Sequence, residues 1–267
     1  MATNTRTNDA MHLCIRFHPS AVVKTEYHES QMKIIVLSFI LCLWSTFSTS
    51  EECVVLLHGM ARSDSSMNKM QEKLQKSGYS VVNFDYPSTQ YNIENIARNY
   101  LPKAVAQCNQ NITINFVTHS LGGIVLRQYL SDTELQLLGR VVMLGPPNKG
   151  SEVVDKLKNI PGFELINGPS GLELGTDKTS VPNSLGPVTY PVGIIAGSST
   201  VNPILSLMLP NPDDGKVSAE STKVKGMADH IIMPVSHTFM MRNNEVIRQV
   251  TTFLKTGKFL HDSASAN

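Results

Sequence analysis

The feature that most constrains this chain is residues 112–130, ITINFVTHSLGGIVLRQYL, in which two apolar runs meet at Thr118-His119-Ser120. The first run, 112–117, is short and rich in β-branched residues, as a buried strand is. The second continues to about Leu130, the length of a helix. Gly122 and Gly123 follow the turn and let strand and helix approach closely. A serine in a strand–turn–helix context is held up at the end of a sheet. Whether it is a nucleophile there or a small polar turn residue depends on partners supplied from elsewhere in the chain.

The surrounding pattern alternates in the same way. CVVLLHG reads as a buried strand ending at Gly59, and SMNKMQEKLQKSGY as a helix with Met67, Met70 and Leu74 on one face. SVVNFDYPS is a strand ended by Pro87, and 93–108 is helical despite Pro102. GRVVMLG, YPVGIIAG and ADHIIMPV are further strands, and NNEVIRQVTTFLKTG is a closing helix with Val246, Val250 and Phe253 along one face. Near-continuous apolar strands separated by helices predict an α/β fold, a mostly parallel sheet covered by helices on both faces. Residues 147–189 break the rhythm, being rich in Gly, Pro, Ser and Asn and long for a connection, and are a candidate cap. A second long loop, 198–214, carries the apolar tract ILSLMLP.

The N-terminus reads separately. MKIIVLSFILCLWSTFSTS, 32–50, has a lysine, an apolar stretch and small residues before a cleavage point, the layout of a secretory signal. The expected organisation is a non-structural extension at 1–31, a signal peptide at 32–50 and a single domain at 51–267. Translation is expected to start at Met32, and the mature chain near Glu51. The alternative is a membrane anchor through 34–49. With the signal cleaved, the protein is expected to be exported, periplasmic or secreted. Removing 1–50 leaves equal numbers of acidic and basic residues, so no charge excess suggests nucleic acid as a partner. It also leaves only Cys53 and Cys108, in an exported chain a disulfide candidate, with two buried free thiols as the alternative.

Attack by Ser120 on a carbonyl carbon needs a base, an acid that orients the base, and donors for the oxyanion. His119 adjoins the serine in the turn, so its side chain is expected to point away from the hydroxyl. His58 suits loop support, and His261 lies in a polar tail. His237, in PVSHTFMM, follows a strand and precedes the last helix, which makes it the expected base, with His230 the alternative. NPDDGKVS supplies Asp214 as the expected acid, with Asp213 as alternative and Asp229 as outsider. The order Ser120, Asp214, His237 matches one of the known triad orders. Leu121, at a helix start, and Met60, on the loop after the first strand, are the expected oxyanion donors. Arg62 reads as a solvated loop arginine, with contact to a polar substrate group as the alternative.

VVLLHGMA, THSLGG, MLGPPNKGS, DDGKVS and SHTFMM together resemble a compact lipase or esterase of the α/β-hydrolase superfamily, over roughly 53–259. The resemblance implies a small α/β-hydrolase fold and a serine hydrolase acting on carboxylic esters. Ser120, Asp214 and His237 would form its triad and Met60 and Leu121 its oxyanion hole. It also implies that Cys53 and Cys108 lie together at the non-catalytic edge of the sheet, where a disulfide would stabilise the fold by about 3–4 kcal/mol. Its substrate would be a small-molecule ester or lipid, with transient contact to a lipid surface; no metal or organic cofactor is expected. An acyltransferase or thioesterase would carry the same triad, and a non-catalytic binding module the same fold. One departure is Thr118, where the family elbow usually has glycine; its β-branch predicts strain or a slightly shifted helix.

Overall fold

A computed structural model describes residues 52–261. The expectations for 1–31 and 32–50, and the alternative anchor at 34–49, lie outside the described residues. Among the described residues no helix is long and apolar enough to cross a membrane.

Six parallel strands form one sheet: β1 (Cys53–Leu57), β2 (Ser80–Phe84), β3 (Ile114–His119), β4 (Leu138–Leu144), β5 (Val192–Gly197) and β6 (Asp229–Met233). Their spatial order is β2-β1-β3-β4-β5-β6. The inner strands alternate between two cores, as a period of two residues requires. Cys53, Val55 and Leu57, with Ile114 and Phe116, face one side; Val54 and Leu56, with Val117, face the other. On the first side pack α2 (Ile93–Val105) and α3 (Leu121–Asp132). On the second pack α1 (Asn68–Lys76) and α8 (Asn244–Thr256), whose Val246, Val250 and Phe253 are fully buried.

The strand order reverses between β1 and β3. Successive connections leave in opposite directions there, so a crevice opens at the strands' carboxyl ends, the place where sheets of this kind bind ligands. β3 ends at His119 and β1 at Leu57, so the Ser120 turn and the His58–Met60 loop flank that crevice.

The 147–189 segment is not a bare loop. It carries α4 (Glu152–Leu157), α5 (Phe163–Leu172) and α6 (Val181–Ser184). α5 is broken at Gly168, whose φ is 65°, just before Pro169. What holds these short elements is tertiary. Ser170 Oγ donates to the Ser88 carbonyl at 2.5 Å, and the Ile93 amide donates to Glu173 Oε2 at 2.8 Å. The 198–214 loop carries one further turn of helix, α7 (Pro203–Ser206).

At the opposite edge of the sheet, Cys53 and Cys108 are joined by a disulfide, with Cα atoms 5.9 Å apart. It closes the chain from the start of β1 to the end of α2 across a separation of 55 residues. Constraining a loop of that length in the unfolded chain is worth about 4 kcal/mol.

Candidate active site

Ser120 sits between β3 and α3 with φ 54° and ψ −122°, a conformation that costs about 1–3 kcal/mol for a residue bearing a Cβ. Two backbone bonds hold it there. Its amide donates to the Leu144 carbonyl at 2.9 Å, and its carbonyl accepts from the Gly123 amide at 3.0 Å. The turn works only because the second residue of α3 is a glycine. A Cβ on Gly122 would lie 2.8 Å from the carbonyl oxygens of Leu57 and His58. Thr118 is accommodated by the same means: it pairs regularly between Leu57 and Met143, and its Oγ1 is 3.3 Å from where a Gly123 Cβ would be. Thr118 Oγ1 is buried without a hydrogen-bond partner among the described residues, a polar cost of threonine at this position.

Ser120 Oγ is 3.0 Å from His237 Nε2, and His237 Nδ1 is 2.7 Å from Asp214 Oδ2. Asp214 is 1% exposed, and its other oxygen accepts from the amides of Lys216 at 3.0 Å and Val217 at 2.8 Å. With Asp214 acting only as acceptor, Nδ1 carries the proton and Nε2 is left to accept from the serine hydroxyl. The His237 amide donates to the Asp214 carbonyl at 3.0 Å, which ties the two loops together at the backbone as well.

The alternatives lie elsewhere. Asp213 points away from the relay, accepting from Ser206 Oγ and the Gly215 amide, each at 2.7 Å. Asp229 and His230 begin β6, at the far edge of the sheet. His230 Nε2 meets Thr222 Oγ1 at 2.9 Å, and Asp229 meets His261 and the Phe259 amide.

Two histidines brace the site. His119 Nε2 donates to the His237 carbonyl at 3.0 Å, with the two rings 4.8 Å apart, and burial holds its pKa well below the ordinary value. It is therefore a neutral strut. His58 stacks on Tyr86 at 4.2 Å and bonds the Gly59 carbonyl at 2.8 Å, and burial lowers its pKa too. Tyr86 donates its hydroxyl to the His58 carbonyl at 2.6 Å, and the Ala61 amide donates to Ser88 Oγ at 3.2 Å. The loop carrying Met60 is thus pinned from the chain that follows β2. Leu121, first residue of α3, has an amide with no carbonyl four residues back to bond, and it points where the helix dipole favours negative charge.

Gly145 is a site residue that spacing could not reveal. It lies in MLGPPNKGS with φ 54°, and a Cβ there would stand 2.9 Å from Asp214 Oδ2 and 3.1 Å from His237 Nδ1. Any side chain would intrude on the acid–base contact.

Ser120 opens into a cavity of about 340 Å³ that Met60 also lines. Its walls are mainly apolar and come largely from the 147–189 segment, including Val154, Leu157, Phe163, Ile166 and Leu174. Leu205 from α7, Lys216 and Val217 also line it. Among the described residues no cluster of side chains could hold a metal ion.

The family described as palmitoyl protein thioesterase matches residues 53–182. No curated protein sequence matches the chain. Among solved structures it is similar to the mature Bacillus licheniformis lipase BlEst2, at 16% identity and a TM-score of 0.59, covering 78% of this chain and 93% of that one. It is similar to phospholipase PlaB from Legionella pneumophila at 14% identity and a TM-score of 0.62, covering 78% of this chain and 60% of that longer one. The metagenomic carboxyl esterase MGS0156 is 17% identical with a TM-score of 0.54, over 71% of this chain and 65% of that one. At such identities the likeness is one of fold.

Proposed function

We propose that this chain, an α/β-hydrolase by fold, is an exported serine hydrolase that cleaves carboxylic esters or thioesters of apolar acids. What carries the reading is the continuous relay from Ser120 through His237 to Asp214 at the mouth of an apolar cavity.

In this mechanism the Ser120 oxygen attacks the acyl carbon while its proton passes to His237 Nε2. Asp214 holds the imidazole in the required tautomer and stabilises the cation that forms. The new oxyanion is met by the amides of Met60 and Leu121, donors that need no rearrangement as charge develops. Collapse expels the alcohol or thiol, which takes the proton from His237, and leaves the acyl group on Ser120. Water then repeats the sequence, giving its proton to His237 and releasing the acid and the free serine.

The 147–189 segment acts as the cap that receives the acyl chain. Each methylene buried contributes about 0.8 kcal/mol, so kcat/KM is expected to rise about three- to fourfold per carbon from acetyl upward until the cavity is full. Rates on a p-nitrophenyl ester series test this. An acetyl ester turned over best would contradict it. The match to the thioesterase family supports a second reading in which the leaving group is a thiol. The same acyl group offered as oxyester and thioester separates the two.

Export agrees with the disulfide, which oxidising compartments favour. N-terminal sequencing of the mature protein should find a start near Glu51; retention of Thr25 or Tyr27 would contradict a cleaved signal.

A further inference from the structure

The His119 ring adjoins the catalytic base. Its Nε2 donates to the His237 carbonyl at 3.0 Å, and the two rings lie 4.8 Å apart with their planes tilted by 48°. With the His237 amide bonded to the Asp214 carbonyl at 3.0 Å, both peptide groups flanking the His237 Cα are held. That matters because His237 lies outside the strands and helices, in the turn after β6. His119 itself is anchored in the sheet: it is the last residue of β3 and pairs with Leu144 of β4. The ring's other side is seated against Gly59, where a Cβ would stand 2.7 Å from Nδ1 and 3.2 Å from Cε1. A residue without a Cβ leaves room for an imidazole there.

A stabilising role does not account for this histidine. With Nε2 as donor, Nδ1 is an acceptor, and it is buried without a partner among the described residues. An unpaired buried acceptor costs at least as much as one ordinary hydrogen bond contributes, so the ring's polar atoms give no net gain in folding. Nor does His119 meet substrate. It is 2% exposed and is not among the residues that line the cavity. What the imidazole provides is a rigid donor at a carbonyl whose position sets where His237 Nε2 stands, 3.0 Å from Ser120 Oγ.

We infer that His119 is a positioning residue, which fixes the His237 imidazole toward Ser120 through the His237 carbonyl. The inference rests on the hydrolase reading above. His119→Gln and His119→Asn test it. A glutamine side-chain amide reaches the place of Nε2 and can donate to the same carbonyl, whereas an asparagine amide reaches only the place of Nδ1. Each protein is assayed on p-nitrophenyl octanoate, with kcat counted per site that a fluorophosphonate titrates at completion, so that unfolded protein does not enter. The kcat of H119N should fall by about 10²-fold with KM little changed, as a base misplaced by about 1 Å gives. H119Q should stay within about tenfold of the wild type, below it because a flexible side chain must be ordered. The second-order rate of labelling should follow the same sequence, since it needs the same proton transfer. A structural role alone would lower the melting temperature and leave kcat per titrated site unchanged, which overturns the inference. Equal losses of kcat in the two variants overturn it too, because the bond to the carbonyl is then not what matters. Wild-type protein that neither turns over the ester nor takes the label removes the hydrolase reading and the inference with it.

Discussion

Ser120→Ala should lower kcat on any ester substrate by on the order of 10⁵–10⁶-fold, the loss that removal of a triad nucleophile produces. The binding elements stay in place, because the Ser120 amide bond to Leu144 and the carbonyl bond from Gly123 are both main-chain. KM should therefore change little. A companion variant separates chemistry from folding. With φ 54° and ψ −122°, position 120 is strained for any residue with a Cβ. Ser120→Gly should be equally inactive yet more stable than Ser120→Ala by about 1 kcal/mol, since glycine takes that backbone without crowding. Thermal melts of the two proteins check the second half of the statement. A Ser120→Ala protein that keeps even a hundredth of the wild-type kcat would exclude Ser120 as nucleophile.

Asp214→Asn should cost on the order of 10⁴-fold in kcat, through a tautomer rather than through lost shape. Asp214 Oδ1 accepts from the Lys216 and Val217 amides, so an asparagine there must place its carbonyl oxygen toward them. Its amide nitrogen then faces His237 Nδ1, a position Asp214 Oδ2 occupies at 2.7 Å. A donor in that place forces Nδ1 to accept and puts the proton on Nε2, where it blocks removal of the serine proton. Asp213→Asn is the control. Its carboxylate serves Ser206 and the Gly215 amide, so kcat should fall by less than about tenfold even where stability drops, as for loss of local hydrogen bonds. Equal losses at the two positions would contradict the assignment of the acid.

The inner strands were legible because they are buried on both faces and read as nearly continuous apolar runs, as in Val54-Val55-Leu56-Leu57, whereas the edge strand β6 leaves Ile232 exposed. The position of the turn followed from the switch between a six-residue run and a helical one at Ser120. The meeting of Ser120, Asp214 and His237 could be anticipated because the carboxyl ends of parallel strands share one edge of the sheet, wherever they fall in the sequence. What escaped was set by contact rather than by pattern. α4 and α6 carry too few residues for periodicity to show, and α5 is interrupted by Gly168 and Pro169; such elements stand on bonds such as Ser170 to Ser88 that join distant segments. Gly145 looks like any turn glycine until the acid–base pair is seen 2.9 and 3.1 Å from its missing Cβ. His119, expected only to avoid the serine, proves to hold the His237 carbonyl.

Whether Ser120 is an activated nucleophile can be tested without knowing the substrate. Purified protein is treated with a fluorophosphonate, digested, and the labelled peptide identified by mass spectrometry. One adduct is expected, on Ser120, absent in Ser120→Ala and strongly reduced in His237→Ala. A folded wild-type protein that takes no label, with or without detergent to open the apolar cap, would contradict it.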